Sequence, residues 1–531
     1  MTDSEPLVRR RRLLGAIGAG LVAGCTGSPD DSTPTGDDRT ATPTDGVTPT
    51  GGTTDTATAT DGATPTDTPT ATATATPTPA PPFGLDCRDD AVRPEGESEA
   101  RYEVVSYHDI APVWPGAPTD YALLTHGDTQ FVAFYRAQFE GGEYEREGGQ
   151  LTVGQRQVGC GSAWRFVTLD EWMAWDSHNY VTMAVDDTGR LHVSGNMHND
   201  PLAYFRTWEP LDVRTLERVE EMVGSDESTV TYPQFIDDPQ GRLVFEYRSG
   251  ESGSGVRIYN VYDANSGRWS RLLDEPLLDG SVDDMNAYPV GPELGPDGYY
   301  HLVWVWRDTP DASTNHDLSY ARSADLSTWE RSDGTELDLP ITYDEAEIVD
   351  PVPSGGGMIN GNTEIGFDTR DRVILGYHKF DEEGNTQIYN ARREADGWAI
   401  YETSDWDYRW EFGGGGSLDF EITLSGVSVD GDRPIQSYDH VEYGSGTWEL
   451  DPETLRAVAE LDRPPRYPES SRSFDAADDR LQLNWAEDLG SSGEDGIRYA
   501  LRWPTLPPNQ DQPYDEVPPP TTLRLYEFER V

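Results

Sequence analysis

Asp-Ser-His-Asn-Tyr-Val-Thr-Met-Ala-Val-Asp-Asp-Thr-Gly-Arg-Leu-His-Val-Ser-Gly-Asn-Met-His-Asn-Asp, residues 176–200, is two short apolar runs around an acidic turn. The runs at 180–185 and 191–193 alternate and are rich in β-branched residues, and the Asp-Asp-Thr-Gly between them has the chemistry of a tight antiparallel hairpin. Facing residues of a hairpin run in opposite directions from the loop, so partners here have numbers that sum to about 375 to 376. His178 is thereby predicted to face His198 at the open end, where neither is needed to build a strand. Two histidines ending two strands are ordinary taken alone, because histidine is intermediate in burial. The rest of the chain gives the pair its weight.

The same turn recurs, each time followed by a short apolar strand that ends in polar or charged residues. Copies stand at Gly127-Asp128, Asp187-Thr188-Gly189, Pro239-Gln240-Gly241, Pro296-Asp297-Gly298, Thr369-Arg370-Asp371, Asp430-Gly431-Asp432 and Ala477-Asp478-Asp479. Their spacing, about 47 to 73 residues, suits four-stranded blades with variable loops. The longest stretch with any helical period is 211–223, so the chain reads as all-β, and seven copies predict a seven-bladed β-propeller. A pair of β-sandwiches is the alternative. Tryptophan recurs at strand ends as Trp269, Trp329, Trp398 and Trp448, a placement suited to packing between blades.

In a propeller the inner hairpins open toward one face. The polar strand ends then form a predicted ring of Arg136, His198, Arg248, Arg307, His378 with Lys379, Asp439 with His440, and Glu487, and this ring is the expected pocket. Applying the hairpin pairing to the third copy brings Tyr232 against Arg248, one blade along from the two histidines. Trp304, Trp306 and Trp485 are candidates for stacking on sugar rings, against the competing reading that they are blade core.

The 531 residues divide into three parts. Residues 1–25 hold Arg9 to Arg12, a short apolar run and then Leu21-Val22-Ala23-Gly24-Cys25, the layout of a twin-arginine-like signal peptide with a lipobox, which makes Cys25 the expected lipidation site. Residues 26–82 are Thr, Pro, Asp, Ala and Gly without an aromatic, so they are expected to be a solvated, disordered stalk. The folded part is 83–531. This layout predicts an exported protein held by lipid on the outer face of the cell membrane. With Cys25 lipidated, Cys87 and Cys160 remain as a pair in an exported chain, and a disulfide is expected.

A formal net charge of −57 excludes nucleic acid as a partner, since phosphate recognition needs a basic surface. The acids are spread through the whole folded part and Lys379 is the single lysine, which fits a halophile whose environment screens self-repulsion. The layout resembles that of haloarchaeal lipoproteins.

His178 in Ser-His-Asn-Tyr-Val, His198 twenty residues on, Tyr232 in Tyr-Pro-Gln-Phe and Arg248 sixteen further resemble the active-site series of the propeller-type ulvan lyases. These belong to a BNR-repeat group that also holds rhamnosyl-glucuronate lyases and a related rhamnosidase. The resemblance runs over about 102–484 and is strongest from 175 to 392. It implies β-elimination from an acidic, uronate-containing polysaccharide, with Arg248 pairing with the uronate carboxylate, His178 and Tyr232 as base and acid in an order left open, and His198 positioning His178 or the substrate. Asn179, Arg307, His316 and Lys379 are the further candidates for substrate binding. Elimination needs no cofactor if Arg248 neutralises the carboxylate. A structural calcium is an expectation from the family and the Asp-rich turns, but no ligand series of EF-hand type is present and metal ligands stay unassigned. Glycosidase-type paired carboxylates are not recognisable. A rhamnosidase-like hydrolase and a non-catalytic carbohydrate-binding propeller are the alternative readings.

Overall fold

The computed structural model describes Cys87 and residues 90–94, 100–140, 143–252, 254–474 and 478–531. The readings made for 1–82, Cys25 included, and the start of the folded part at 83–86 lie outside the described residues.

One aspartate organises each of several repeated turns. Asp186 Oδ1 accepts the backbone N–H of Thr188 at 2.8 Å and of Arg190 at 2.9 Å. Asp238 does the same for Gln240 and Arg242, at 2.9 and 2.8 Å, and Asp368 for Arg370 and Arg372, at 2.9 and 3.1 Å. The carboxylate satisfies donors that a reversing chain would otherwise leave unpaired. Gly189 and Gly241 take the left-handed position this requires, at φ +82° and +78°, and Asp371 takes it in the fifth copy at +58°.

From these turns the inner hairpins run back antiparallel: Val181–Val185 with Leu191–Gly195, Val230–Asp237 with Leu243–Ser249, Asn286–Leu294 with Tyr300–Arg307, and Glu364–Phe367 with Val373–Phe380. Further strands add outward from each hairpin. The described strands form six sheets, and the largest is two four-stranded groups joined through one register pair, Val113 with Arg136. Separating those two groups leaves seven, consistent with seven blades of a β-propeller. The last group, Gln482–Glu487, Ile497–Thr505 and Thr521–Arg530, takes Tyr102–Val113 as its fourth strand. The earliest and latest of these strands are therefore zipped by main-chain hydrogen bonds. Residue 477, where the seventh turn begins, lies outside the described residues.

The recurring tryptophans seal blade against blade. Trp269 of the third blade donates its indole N–H to the Tyr204 hydroxyl of the second at 3.1 Å, and Trp329 and Trp398 meet Tyr259 and Tyr320 of the preceding blades edge-on. Trp304 and Trp306 are fully buried core residues, which overturns their reading as sugar platforms. Trp485 is half-buried and stacks on Tyr467 at 4.9 Å. The 211–223 stretch holds a single 3-10 turn, Val213–Thr215, capped by Asp212, followed by the outer strand Leu216–Arg218. Its apolar residues Leu211, Val213 and Leu216 are buried against sheet, not along a helix face. Cys87 and Cys160 are joined by the expected disulfide.

Asp238 is fully buried and its carboxylate also holds Arg242 at 2.6 Å. Asp238→Ala removes the acceptor for two turn N–H groups and is expected to cost about 1–3 kcal/mol of stability. Thermal unfolding checks this. An unchanged midpoint would mean that the flanking strands alone hold the turn.

Candidate active site

The second hairpin's register, Val181 with Gly195 and Met183 with Val193, continues past the strand ends and stacks His178 on His198, their rings 4.1 Å apart. Asp176 fixes the first of them. Its Oδ1 accepts the His178 backbone N–H at 2.9 Å and His178 Nδ1 at 2.6 Å, while its Oδ2 lies 2.5 Å from His198 Nδ1. The Tyr135 hydroxyl donates to the Asn179 carbonyl at 2.5 Å and pins the same loop from the first blade. His198 opens a short strand, His198–Asp200, that leaves the second blade and pairs with Thr231 in the third. The two blades are sutured at the site.

On the third blade, Thr231 pairs with Arg248, and the register then breaks until Gln234 pairs with Glu246. Tyr232 sits in the break at φ +58°, a left-handed conformation that is rare for an aromatic residue and costly unless its surroundings impose it. The bulge re-aims its side chain. Arg248 lies over the Tyr232 ring at 5.0 Å and Arg257 at 5.4 Å, and the ring stands edge-on to His178 at 6.0 Å. The buried Arg248 donates Nη2 to Asn199 Oδ1 at 2.8 Å and to Thr231 Oγ1 at 3.0 Å. Its Nε and Nη1 are buried without a partner, and no carboxylate pairs with it among the described residues.

A second carboxylate arrives from the far end of the chain. Asp511 Oδ2 lies 3.3 Å from His178 Nδ1, while its Oδ1 accepts the Ser417 hydroxyl at 2.7 Å and that of Ser177 at 3.3 Å. His178 is buried, and its Nε2 has no hydrogen-bond partner. With Nδ1 committed to Asp176 and faced by Asp511, the Nε2 lone pair is the free one. Burial alone would push the Asp176 carboxyl up, but its hydrogen bonds to His178 and His198, reinforced at acid pH when those imidazoles are protonated, outweigh burial and hold it well below the usual carboxylate range. Burial pushes the Tyr232 phenol well up, and the Arg248 and Arg257 cations offset this only in part. Tyr232 therefore keeps its phenolic proton at neutral pH, which bears on the order of base and acid left open between it and His178. At the neighbouring Tyr288, buried on the fourth blade, burial again works upward, but Arg248 and Arg307 outweigh it and the phenol is held below its ordinary value.

Of the predicted site residues, His178, His198, Tyr232 and Arg248 converge, and Asn179 stays beside His178 with its side-chain oxygen buried and unpartnered. Arg307 is buried and donates to the carbonyls of Thr309, Pro310 and Asp311, where it holds its own loop. His316 is wedged between Asp317 at 2.9 Å and Asp308 at 3.1 Å. Lys379 is paired with Asp350 at 2.6 Å and covers the Tyr389 ring. All three are thus engaged by protein partners. The predicted ring fails elsewhere too. His378 is buried beneath Trp410, and that burial lowers its pKa to about 4. His440 accepts the Glu442 N–H at 3.0 Å, Glu487 is held by Tyr467 and Arg466, Asp439 accepts from Ser445, and Arg136 covers Phe166.

Sequence reasoning missed Asp176, although it stands two residues before His178 with the Asx spacing that could have exposed it. Asn199, beside His198, was also legible. Asp511, Ser417 and Tyr288 carry no local signal.

The model of a family described as BNR repeat-containing matches residues 129–406, just over half of the chain. No curated protein matches it. Among solved structures, the polysaccharide lyase Uly1 is 14% identical with a TM-score of 0.53, over 81% of this chain and 99% of that one. A PL25 ulvan lyase bound to -[GlcA(1-4)Rha3S]- is 12% identical with a TM-score of 0.51, over 78% of this chain and 94% of that one. At such identities the likeness is one of fold.

A depressed carboxyl contributes stability that is present above its unfolded pKa, about 3.9, and is lost as pH falls through the lower folded value. Asp176→Asn is accordingly expected to flatten the acid limb of the thermal-stability profile below about pH 4. Parallel acid limbs in the two proteins would refute the coupling to the histidines.

Proposed function

This chain belongs to the BNR repeat-containing family, and from that premise we propose that it is a polysaccharide lyase, cleaving a uronate-containing, rhamnose-rich polysaccharide of the ulvan kind by β-elimination at C4 of the uronate. The observation that carries this reading is Arg248. In a chain with 97 acidic and 40 basic residues, its buried guanidinium has two unpartnered nitrogens and no carboxylate. A buried cation left this way is costly unless an anionic ligand completes it. A uronate carboxylate supplies that charge in the bidentate geometry guanidinium favours.

Neutralising the carboxylate acidifies the C5 proton. The free Nε2 of His178 takes that proton, and Asp176, which accepts from Nδ1, together with Asp511, whose Oδ2 lies 3.3 Å from it, stabilises the imidazolium that forms. Electrons of the C5–H bond become the C4=C5 double bond, the C4–O4 bond breaks, and the protonated Tyr232 phenol delivers a proton to O4. The proton on His178 then returns to Tyr232 through solvent. His198 acts through Asp176, whose second oxygen it holds. Asn199 and Thr231 orient Arg248. Tyr232 and Arg248 are thus close enough for acid and carboxylate clamp to address one sugar ring. Export, anchoring through Cys25 and a halophilic setting belong to the same proposal, since a lyase held on a stalk outside the cell meets polymers too large to import.

Ultraviolet absorbance of the unsaturated uronate tests the reaction, with the folded part in high salt mixed with ulvan and with rhamnosyl-glucuronan oligosaccharides. His178→Ala and Tyr232→Phe are each expected to lower turnover by about 10²–10⁴-fold, the usual worth of a positioned acid or base. Arg248→Lys is expected to raise KM as well. Released rhamnose without an absorbance rise would establish a hydrolase instead, and binding without any reaction a lectin.

A further inference from the structure

The carboxylates behind His178 exceed what a general base needs. We propose that Asp176, His178, His198 and Asp511 form a binding site for one divalent cation of the zinc class, and that its occupancy switches the elimination off. The switching half of this proposal rests on the lyase reading; the binding half does not.

Charge is the first argument. Two carboxylates meet two imidazoles, and neither Asp176 nor Asp511 pairs with an arginine or lysine among the described residues. Other histidines of the fold lack this pairing of two imidazoles: His192 meets one carboxylate, Asp186, His301 meets one, Asp297, and His316 meets two, Asp317 and Asp308, without a second histidine among the described residues. With both imidazoles neutral the four-residue cluster carries two uncompensated negative charges in a largely buried place, and a single divalent ion cancels them.

Geometry is the second. Among the described residues this is the one group of three or more such side chains whose donor atoms gather, all within 4.8 Å of one another. Zinc bonds of about 2.0–2.2 Å in a tetrahedron place ligand atoms about 3.3–3.5 Å apart. His178 Nδ1 and Asp511 Oδ2 already stand 3.3 Å apart. The Asp176 contacts, at 2.6 and 2.5 Å, are hydrogen-bond lengths and open by about 0.8 Å when the ion replaces the bridging protons. Two imidazole nitrogens select zinc, cobalt or nickel over calcium and magnesium, which prefer all-oxygen sets. Asp511 is also aimed as a ligand. The buried Ser177 and Ser417 hold its Oδ1, leaving Oδ2 toward His178, in the manner of an outer-layer hydrogen bond that orients a metal ligand.

The consequence for catalysis follows from proton placement. An ion at Nδ1 of His178 moves the imidazole proton to Nε2, which then has no lone pair to accept the C5 proton. Metal and reaction compete for the same ring.

The test uses the full chain, stripped with a chelator and kept in high salt with excess Mg²⁺ to saturate surface carboxylates. Titration with Co²⁺ is expected to give one visible absorption band set of tetrahedral intensity per chain, displaced by Zn²⁺. Asp511→Asn is expected to weaken Zn²⁺ binding by about 10-fold or more, and Zn²⁺ to abolish turnover of the native chain reversibly on chelation. Absence of the Co²⁺ spectrum in the native chain overturns the site whether or not the variant folds, and undiminished binding by Asp511→Asn moves the ion elsewhere and also overturns it. Binding without inhibition overturns the switch. Metal binding in a chain that eliminates no substrate would leave the site standing and remove the lyase reading instead.

Discussion

A carboxylate accepting the backbone N–H two residues further along is the interaction on which both the scaffold and the site depend. At Asp186, Asp238 and Asp368 it reverses the chain and starts an inner strand. At Asp176 the same local bond, from the His178 N–H, fixes a loop, and the remaining lone pairs of that carboxylate reach the two imidazoles. The device that builds turns thus also orients the two stacked histidines. An aspartate can serve both purposes because a carboxylate accepts several hydrogen bonds at once and needs no donor of its own.

The acidity of the chain sharpens the meaning of its few cations. Most arginines with resolved partners sit on a nearby carboxylate, as Arg242 does on Asp238 and Arg372 on Asp368. Lys379, unusual in sequence as the single lysine, follows that rule by pairing with Asp350. Arg248 breaks the rule, with hydrogen bonds among the described residues to Asn199 and Thr231 and to no carboxylate. The difference is invisible in sequence, where all of these residues end or begin strands. Only the neighbours brought by the fold distinguish a satisfied cation from an unsatisfied one.

Strain points to the same place. Tyr232 in its bulge at φ +58°, with Asn199 at +61° and Asp511 at +57°, puts three non-glycine residues in the left-handed region around one site. Each is held by partners from another segment: Tyr232 by Arg248 and Arg257, Asn199 by Arg248 and Thr231, and Asp511 by Ser177 and Ser417. A site assembled from the first, second, third and last blades needs those blades brought together before it can form, which ties the site to the pairing of Tyr102–Val113 with Thr521–Arg530.

The sequence by itself determined the turns, the strand alternation and hence most of the register, which was enough to bring His178 to His198 and to place Arg248 within a residue of facing Tyr232, whose ring a bulge then aimed. These are local consequences of a period of two and a short loop. It did not determine which strand ends share a mouth. Arg307, His316 and His378 follow the same grammar as Arg248 and His198, yet they turn into loop carbonyls, flanking aspartates or aromatic core. Asp511 came from more than 300 residues away in sequence, and the proton inventory of Tyr232 depended on how deeply its neighbours buried it. Tertiary structure decided these points because burial and charge pairing are set by distant segments, and no local pattern encodes the distance between them.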